Sequence, residues 1–114
     1  MVTMYGIRNC DTVKKARAWL DERGLDYSFH DYKAAGIAPD RLRRWASELG
    51  WDTLLNRAGT TFRKLAPSEK ESLDEKRAVA LMLAQPSMIK RPVLELGGRL
   101  IVGFKPELYQ YLPW

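Results

Sequence analysis

The stretch VTMYGIRNCDTVKKARAWL, residues 2–20, decides the fold. Val2-Thr3-Met4-Tyr5 is a short apolar, β-prone run closed by Gly6, which predicts a strand. From Asp11 to Arg23 the apolar Val13, Ala16 and Leu20 recur at helical spacing among Lys14, Lys15, Arg17, Asp21 and Glu22, and Gly24 supplies a stop. DYSFHDY, residues 26–32, then sets Tyr27, Phe29 and Asp31 against Ser28, His30 and Tyr32, the alternation of a second strand. Strand, helix and strand in so short a span make a βαβ unit with parallel strands. The only cysteine, Cys10, falls where the first strand gives way to the helix.

The middle of the chain reads as helical. APDRLRRWASELG (38–50) has Pro39 in its first turn, Leu42, Trp45, Ala46 and Leu49 on one face, and Gly50 at its end. WDTLLNRAGTTFRKLA (51–66) predicts short helices around Leu54-Leu55 and Phe62–Leu65, broken at Gly59. PSEKESLDEKRAVALMLAQP (67–86) predicts one helix from an N-cap at Ser68 to about Ala84. RPVLELGGRLIVGF (91–104) returns to strand, with two apolar runs around Gly97-Gly98, a hairpin signal. KPELYQYL (105–112) predicts a last short helix with Pro106 in its first turn. A parallel βαβ half joined to an antiparallel ββα half is a thioredoxin-like α/β layout with a mixed four-stranded sheet. One domain over 1–114 is expected, with a helical insertion at about 38–87, and Trp19 and Trp45 are expected in the core.

At 114 residues the chain can build a core without staples, and one cysteine cannot make an internal disulfide framework. No apolar run approaches the roughly 18 residues of a membrane span, and the basic-then-apolar layout of a signal peptide is missing. A monomer in the reducing cytoplasm is the expectation. The net charge of +5 is spread over helical faces, with modest clusters at Lys14-Lys15-Arg17 and Arg41-Arg43-Arg44. Without a basic tail, an RNA-binding aromatic motif or zinc spacing, nucleic acid is not the expected partner. An anionic small substrate or peptide suits the charge as well.

Thiol chemistry is done by the thiolate, and a helix N-terminus lowers a cysteine pKa by offering unpaired N–H groups and a positive dipole end. Cys10 occupies such a junction, in the polar loop RNCDT and at the carboxyl edge of the first strand, where open α/β sheets bind ligands. A lone cysteine is also often a small buried apolar residue; its polar loop favours the reactive alternative. Arg8, Lys14 and Lys15 add positive potential. Asp11 either opposes them or points away as a first-turn charge. Val13 stands where a CxxC motif would carry a second thiol, so any redox turnover needs an external thiol. Pro92 opens a strand, and the sequence alone favours an ordinary strand-initiating proline beside a solvated Arg91 over a cis bond. His30 lies away from any Cys, Asp or Glu cluster and reads as a surface or half-buried residue. No metal site and no bound cofactor are expected.

YGIRNCDTVKKARAWL (5–20) together with MIKRPVLELGGRLIVGF (88–104) resembles the ArsC/Spx family of arsenate-reductase-like proteins. The likeness is greatest to its YffB-like branch, whose members carry Y-G-I-x-N-C-D-T-x-K-K-A, and it spans essentially the whole chain. It implies a thioredoxin-like fold with a helical insertion, a reactive Cys10, an Arg91 facing that thiol and a cis Pro92. Arsenate reductases of the family use two further arginines. In LLNRAG (54–59) the first falls at or next to Asn56, with Arg57 displaced by one; RLIVGFKPE (99–107) offers Val102, Gly103 or Lys105 and no matching arginine, since Arg99 aligns elsewhere. The resulting expectation is a glutathione-dependent thiol–disulfide reductase. Cys10 is its nucleophile, the amides of Asn9, Asp11 and Thr12 stabilise the anion, Arg91, Arg57 and Arg8 bind glutathione, and Pro92 shapes the groove. The alternatives are a Spx-like adaptor that binds RNA polymerase and a weak arsenate reductase coupled to glutathione or glutaredoxin.

Overall fold

In the computed structural model, which describes residues 1–114 throughout, Val2–Gly6 forms strand β1 and Asp11–Glu22 helix α1. Ser28–Asp31 is β2 and Tyr32–Ala35 a one-turn helix α2. The helical stretch holds α3 (Pro39–Leu49), α4 (Trp51–Leu54), α5 (Thr60–Arg63), α6 (Pro67–Glu71) and α7 (Glu75–Ala84), then a 3-10 turn at Pro86–Met88. Strands β3 (Val93–Leu96) and β4 (Arg99–Val102) and helix α8 (Pro106–Tyr109) complete the chain. Two compact units result: Met1–Ala35 with Arg91–Trp114, and Gly36–Lys90.

The first unit holds the sheet, in the order β2-β1-β3-β4. β1 runs parallel to β2 and antiparallel to β3, and β3 runs antiparallel to β4, the mixed thioredoxin-like arrangement expected from the sequence. Met4 and Leu94, opposite each other on β1 and β3, are buried with Val13, Ala16, Trp19 and Leu20 of α1 and Tyr109 of α8. Trp19 meets the Tyr109 ring edge-on at 5.6 Å, and the Trp114 indole donates to the Tyr109 carbonyl at 2.7 Å. Leu96 pairs with Arg99 across the two-residue loop Gly97-Gly98. Gly97 has φ +60, the left-handed value that a type II′ hairpin turn requires at its first central residue.

Two expectations are corrected. The strand foreseen over 26–32 stops at Asp31, because its carboxylate accepts from the N–H groups of Lys33 (3.0 Å) and Ala34 (3.2 Å) and starts α2. The single helix foreseen from Ser68 to Ala84 is two. Asp74, which accepts from the Arg77 N–H at 2.8 Å, caps a new helix, and Pro67 rather than Ser68 opens the first. In the second unit α3 buries Leu42, Trp45 and Ala46 and packs against α4 and α7. Leu54–Asn56 and Met88–Lys90 pair as a short antiparallel bridge, with Lys90 N–H to the Leu54 carbonyl at 2.8 Å and Asn56 N–H to the Met88 carbonyl at 2.7 Å.

Gly6 sets how closely α1 lies on the sheet. A Cβ at that position would come within 2.9 Å of Val13 Cγ2, and Val13 is fully buried. Gly6→Ala is therefore expected to cost about 1–3 kcal/mol in denaturant unfolding, the usual range for overpacking. Combining it with Val13→Ala should cost less than the sum of the two single changes, since the second removes the colliding methyl groups.

Candidate functional site

Cys10 is the N-cap of α1, with extended backbone at φ −111 and ψ 128. It is half-buried, packed at the rim of the core cluster, and its carbonyl accepts the first helical hydrogen bond from Lys14 N–H at 2.9 Å. The N–H groups of Thr12 and Val13, the second and third helical residues, face its sulfur. A neutral thiol is a poor acceptor, but a thiolate in this place collects both donors and the positive end of the helix. Burial pushes the thiol pKa up. The Val13 N–H, the Arg91 side chain, the Thr12 N–H and the Arg91 charge together outweigh burial and leave the pKa below the ordinary value.

Arg91 reaches this sulfur from two residues before β3, with Pro92 between. The Arg91–Pro92 peptide is cis and Arg91 is half-buried, so the ordinary proline and solvated arginine that the sequence alone favoured give way to the arrangement implied by the family resemblance. The Pro92 carbonyl accepts from the Gly103 N–H at 2.8 Å, which fixes the start of β3 against the end of β4. Arg91 also hydrogen-bonds the hydroxyl of Tyr32, which is fully buried. Burial holds that phenol far above its usual range, with Arg91 partly offsetting the rise and Cys10 and Asp31 adding to it.

Asp31 ties the cysteine loop to β2. Besides the two α2 amides, its carboxylate accepts from the Arg8 N–H at 3.3 Å. Desolvation acts to raise its pKa, but the N–H groups of Arg8, Ala34 and Lys33 and the Arg8 charge prevail, and it lies below the ordinary carboxylate value. Sequence reasoning missed both Tyr32 and Asp31; an Asp followed by Tyr-Lys-Ala-Ala and Gly36 is an N-cap signal that could have found them.

Cys10 thus meets the Thr12 N–H and the Arg91 side chain, and Pro92 follows Arg91 in the chain. Arg8 and Asn9 are exposed in the same loop, and the Arg8 guanidinium lies 5.8 Å from the Phe29 ring centre. Asp11 is exposed in the first turn of α1. Arg57 belongs to the other unit, exposed, with its guanidinium 5.7 Å from the Trp51 ring centre. His30 is half-buried against Tyr5, ring centres 5.2 Å apart. No three His, Cys, Asp or Glu residues cluster in a way that could hold a metal ion, and no helix is long and apolar enough to cross a membrane.

The family model described as the ArsC family matches residues 5–112. Among solved structures, the YFFB (PA3664) protein is 65% identical, with 96% of each chain covered and a TM-score of 0.92. An arsenate reductase (ArsC) related protein from Brucella melitensis is 58% identical, with 96% of this chain and 91% of that one covered and a TM-score of 0.80. The global transcriptional regulator Spx of Listeria innocua is 29% identical over an alignment of 116 positions that covers 99% of this chain and 88% of the relative.

The Asp31 carboxylate gives the site a testable acid dependence. A carboxyl whose folded pKa is depressed adds stability above its unfolded pKa, near 3.9, and loses it as pH falls through the lower folded value. Asp31→Ala is expected to destabilise the protein by about 1 kcal/mol at neutral pH, the usual worth of an N-cap. In thermal melts the gap between the two proteins should close as pH drops below about 4; a gap that widens in acid would contradict this assignment.

Proposed function

Because the chain belongs to the ArsC family, we propose that it is a glutathione-dependent thiol–disulfide reductase with Cys10 as its nucleophile. The observation that carries this reading is the half-buried sulfur on the N-terminus of α1, facing the Thr12 and Val13 amides and the Arg91 side chain. Such a sulfur is poised as a thiolate without being sealed from a partner. Family membership and the 58% identity to an arsenate reductase related protein support oxidoreductase chemistry in general.

The steps are two exchanges. The Cys10 thiolate attacks one sulfur of a disulfide; a new bond forms to Sγ, the substrate S–S bond breaks, and the departing thiolate takes a proton from water. A glutathione thiolate then attacks the substrate sulfur held on Cys10. It forms a new disulfide with that sulfur and returns Cys10 as a thiolate. On a glutathione mixed disulfide the product is oxidised glutathione. No second cysteine exists to intervene, since position 13 is Val13. Arg91, with Arg8 in the cysteine loop, would take glutathione carboxylates, a role suited to the bidentate guanidinium. The Asn9, Asp11 and Thr12 segment and Pro92 would border the bound tripeptide. The chemistry suits a monomer in the reducing cytoplasm.

The likeness to Spx favours a second reading, a regulatory protein that docks on RNA polymerase, and the likeness to an arsenate reductase related protein a third. Alkylation by iodoacetamide across pH separates them. On the first reading the rate has a midpoint below about 8.5, the free-cysteine value, and oxidised glutathione leaves a single adduct on Cys10 in the mass spectrum. Arg91→Ala should raise the midpoint, slowing alkylation about tenfold at a fixed pH beneath it. A midpoint at or above the free value, no adduct and co-purification of polymerase would replace the enzyme by the adaptor. Arsenate-dependent oxidation of glutathione would instead select the third.

A further inference from the structure

We propose that Tyr32 is a positioning residue of this site: its buried hydroxyl accepts a hydrogen bond from Arg91 and so holds the guanidinium against the Cys10 sulfur. This role rests on the reading of Cys10 as the reacting thiolate with Arg91 as its partner.

A guanidinium carries five N–H donors on a long, flexible stem, and one contact to a large, soft sulfur leaves much of its orientation open. A second contact removes that freedom. Tyr32 provides it from the first residue of α2, where its side chain is fully buried. The registers Gly6 opposite Asp31 and Tyr5 opposite Val93 bring Tyr32 and Arg91 to the same sheet edge on either side of β1. The chemical nature of the anchor matters as much as its place. A carboxylate beside Arg91 would compete with the thiolate for the positive charge. A phenol kept protonated by burial fixes the geometry and leaves that charge to the sulfur. The charged or titratable groups that act most on Tyr32 are Arg91, Cys10 and Asp31, and the charged side chain that acts most on Cys10 is Arg91.

The backbone under Tyr32 is fixed as well. Asp31, its immediate neighbour, caps α2 through Lys33 and Ala34 and holds the Arg8 N–H in the cysteine loop. One carboxylate therefore sets both the residue that orients Arg91 and the loop that presents Cys10.

The test is the pH profile of iodoacetamide alkylation for wild type, Tyr32→Phe, Arg91→Ala and the double variant, with thermal melts alongside. Tyr32→Phe keeps the ring and removes the hydroxyl. It is expected to raise the midpoint, slowing alkylation roughly threefold at a fixed pH below it, while the limiting rate at high pH stays unchanged. In the Arg91→Ala background the same change should have no effect on the midpoint. A midpoint that stays or falls in Tyr32→Phe overturns the positioning role, as does an equal rise with Arg91 absent. If Arg91→Ala leaves the midpoint unmoved, the Cys10–Arg91 pairing fails and the role of Tyr32 goes with it. If Arg91→Ala moves it and Tyr32→Phe does not, the pairing stands and only the positioning is lost. Should Tyr32→Phe fail to fold, nitrogen NMR of the Arg91 guanidinium in Cys10→Ser decides. Slow rotation is expected where Tyr32 holds it, and free rotation overturns the role.

Discussion

A thiolate at the rim of a hydrophobic core must be compensated, because a charge drawn out of water and left alone reverts to its neutral form. At Cys10 the compensation comes from two sources: the free amides of Thr12 and Val13 at the start of α1, and the guanidinium of Arg91. The first is local and follows from placing a cysteine at an N-cap. The second comes from far along the chain, and the sheet makes it available. β1 and β3 are antiparallel neighbours with Tyr5 opposite Val93. The segment leaving β1 and the segment entering β3 therefore meet at one edge, whatever length of chain lies between them.

β2 brings a third contribution to that edge. It runs parallel to β1 with Gly6 opposite Asp31, so its carboxyl end lies level with that of β1. Asp31 and Tyr32 are the residues at that end. The ends of three adjacent strands thus supply the sulfur, its cation and the groups that orient both. This is the carboxyl edge of a parallel pair, where open α/β sheets place their ligands. The sheet order puts β1 between β2 and β3, so only a central β1 could gather both flanks onto one cysteine loop.

The parts legible in the sequence are those whose signal is local. Val13, Ala16 and Leu20 announce α1, Gly97-Gly98 announces the hairpin, and the polar loop around Cys10 sets it apart from a core cysteine. The rest depends on competition that local patterns do not resolve. Tyr32 continues a two-residue alternation, so it reads as strand until Asp31 is seen to take the Lys33 and Ala34 amides. Asp74 sits in a run of charged helix formers that reads as one helix, while its carboxylate in fact starts a new one. Arg91 carries no local sign of a buried contact. It was legible through the family motif, because its partner is brought by strand register and not by neighbours in sequence.

Val13 shows why the opening alternatives for Cys10 do not exclude each other. Cys10 and Val13 lie one helical turn apart on the same face, and both touch the core cluster. The Val13 side chain fills the space above Gly6, where no Cβ stands in its way, while its N–H serves the sulfur. Main chain and side chain of one residue thus act on different levels, one on the thiolate and one on the fold. The thiol-bearing residue is apolar packing on its inner side and an anion site on its outer side. A partner thiol cannot come from beneath, where Val13 and the sheet close the space. Under the proposed chemistry the exposed Arg8, Asn9, Asp11 and Thr12 border its approach, so the loop and helix start that carry the cysteine share with Arg91 and Pro92 in setting the specificity of the reaction.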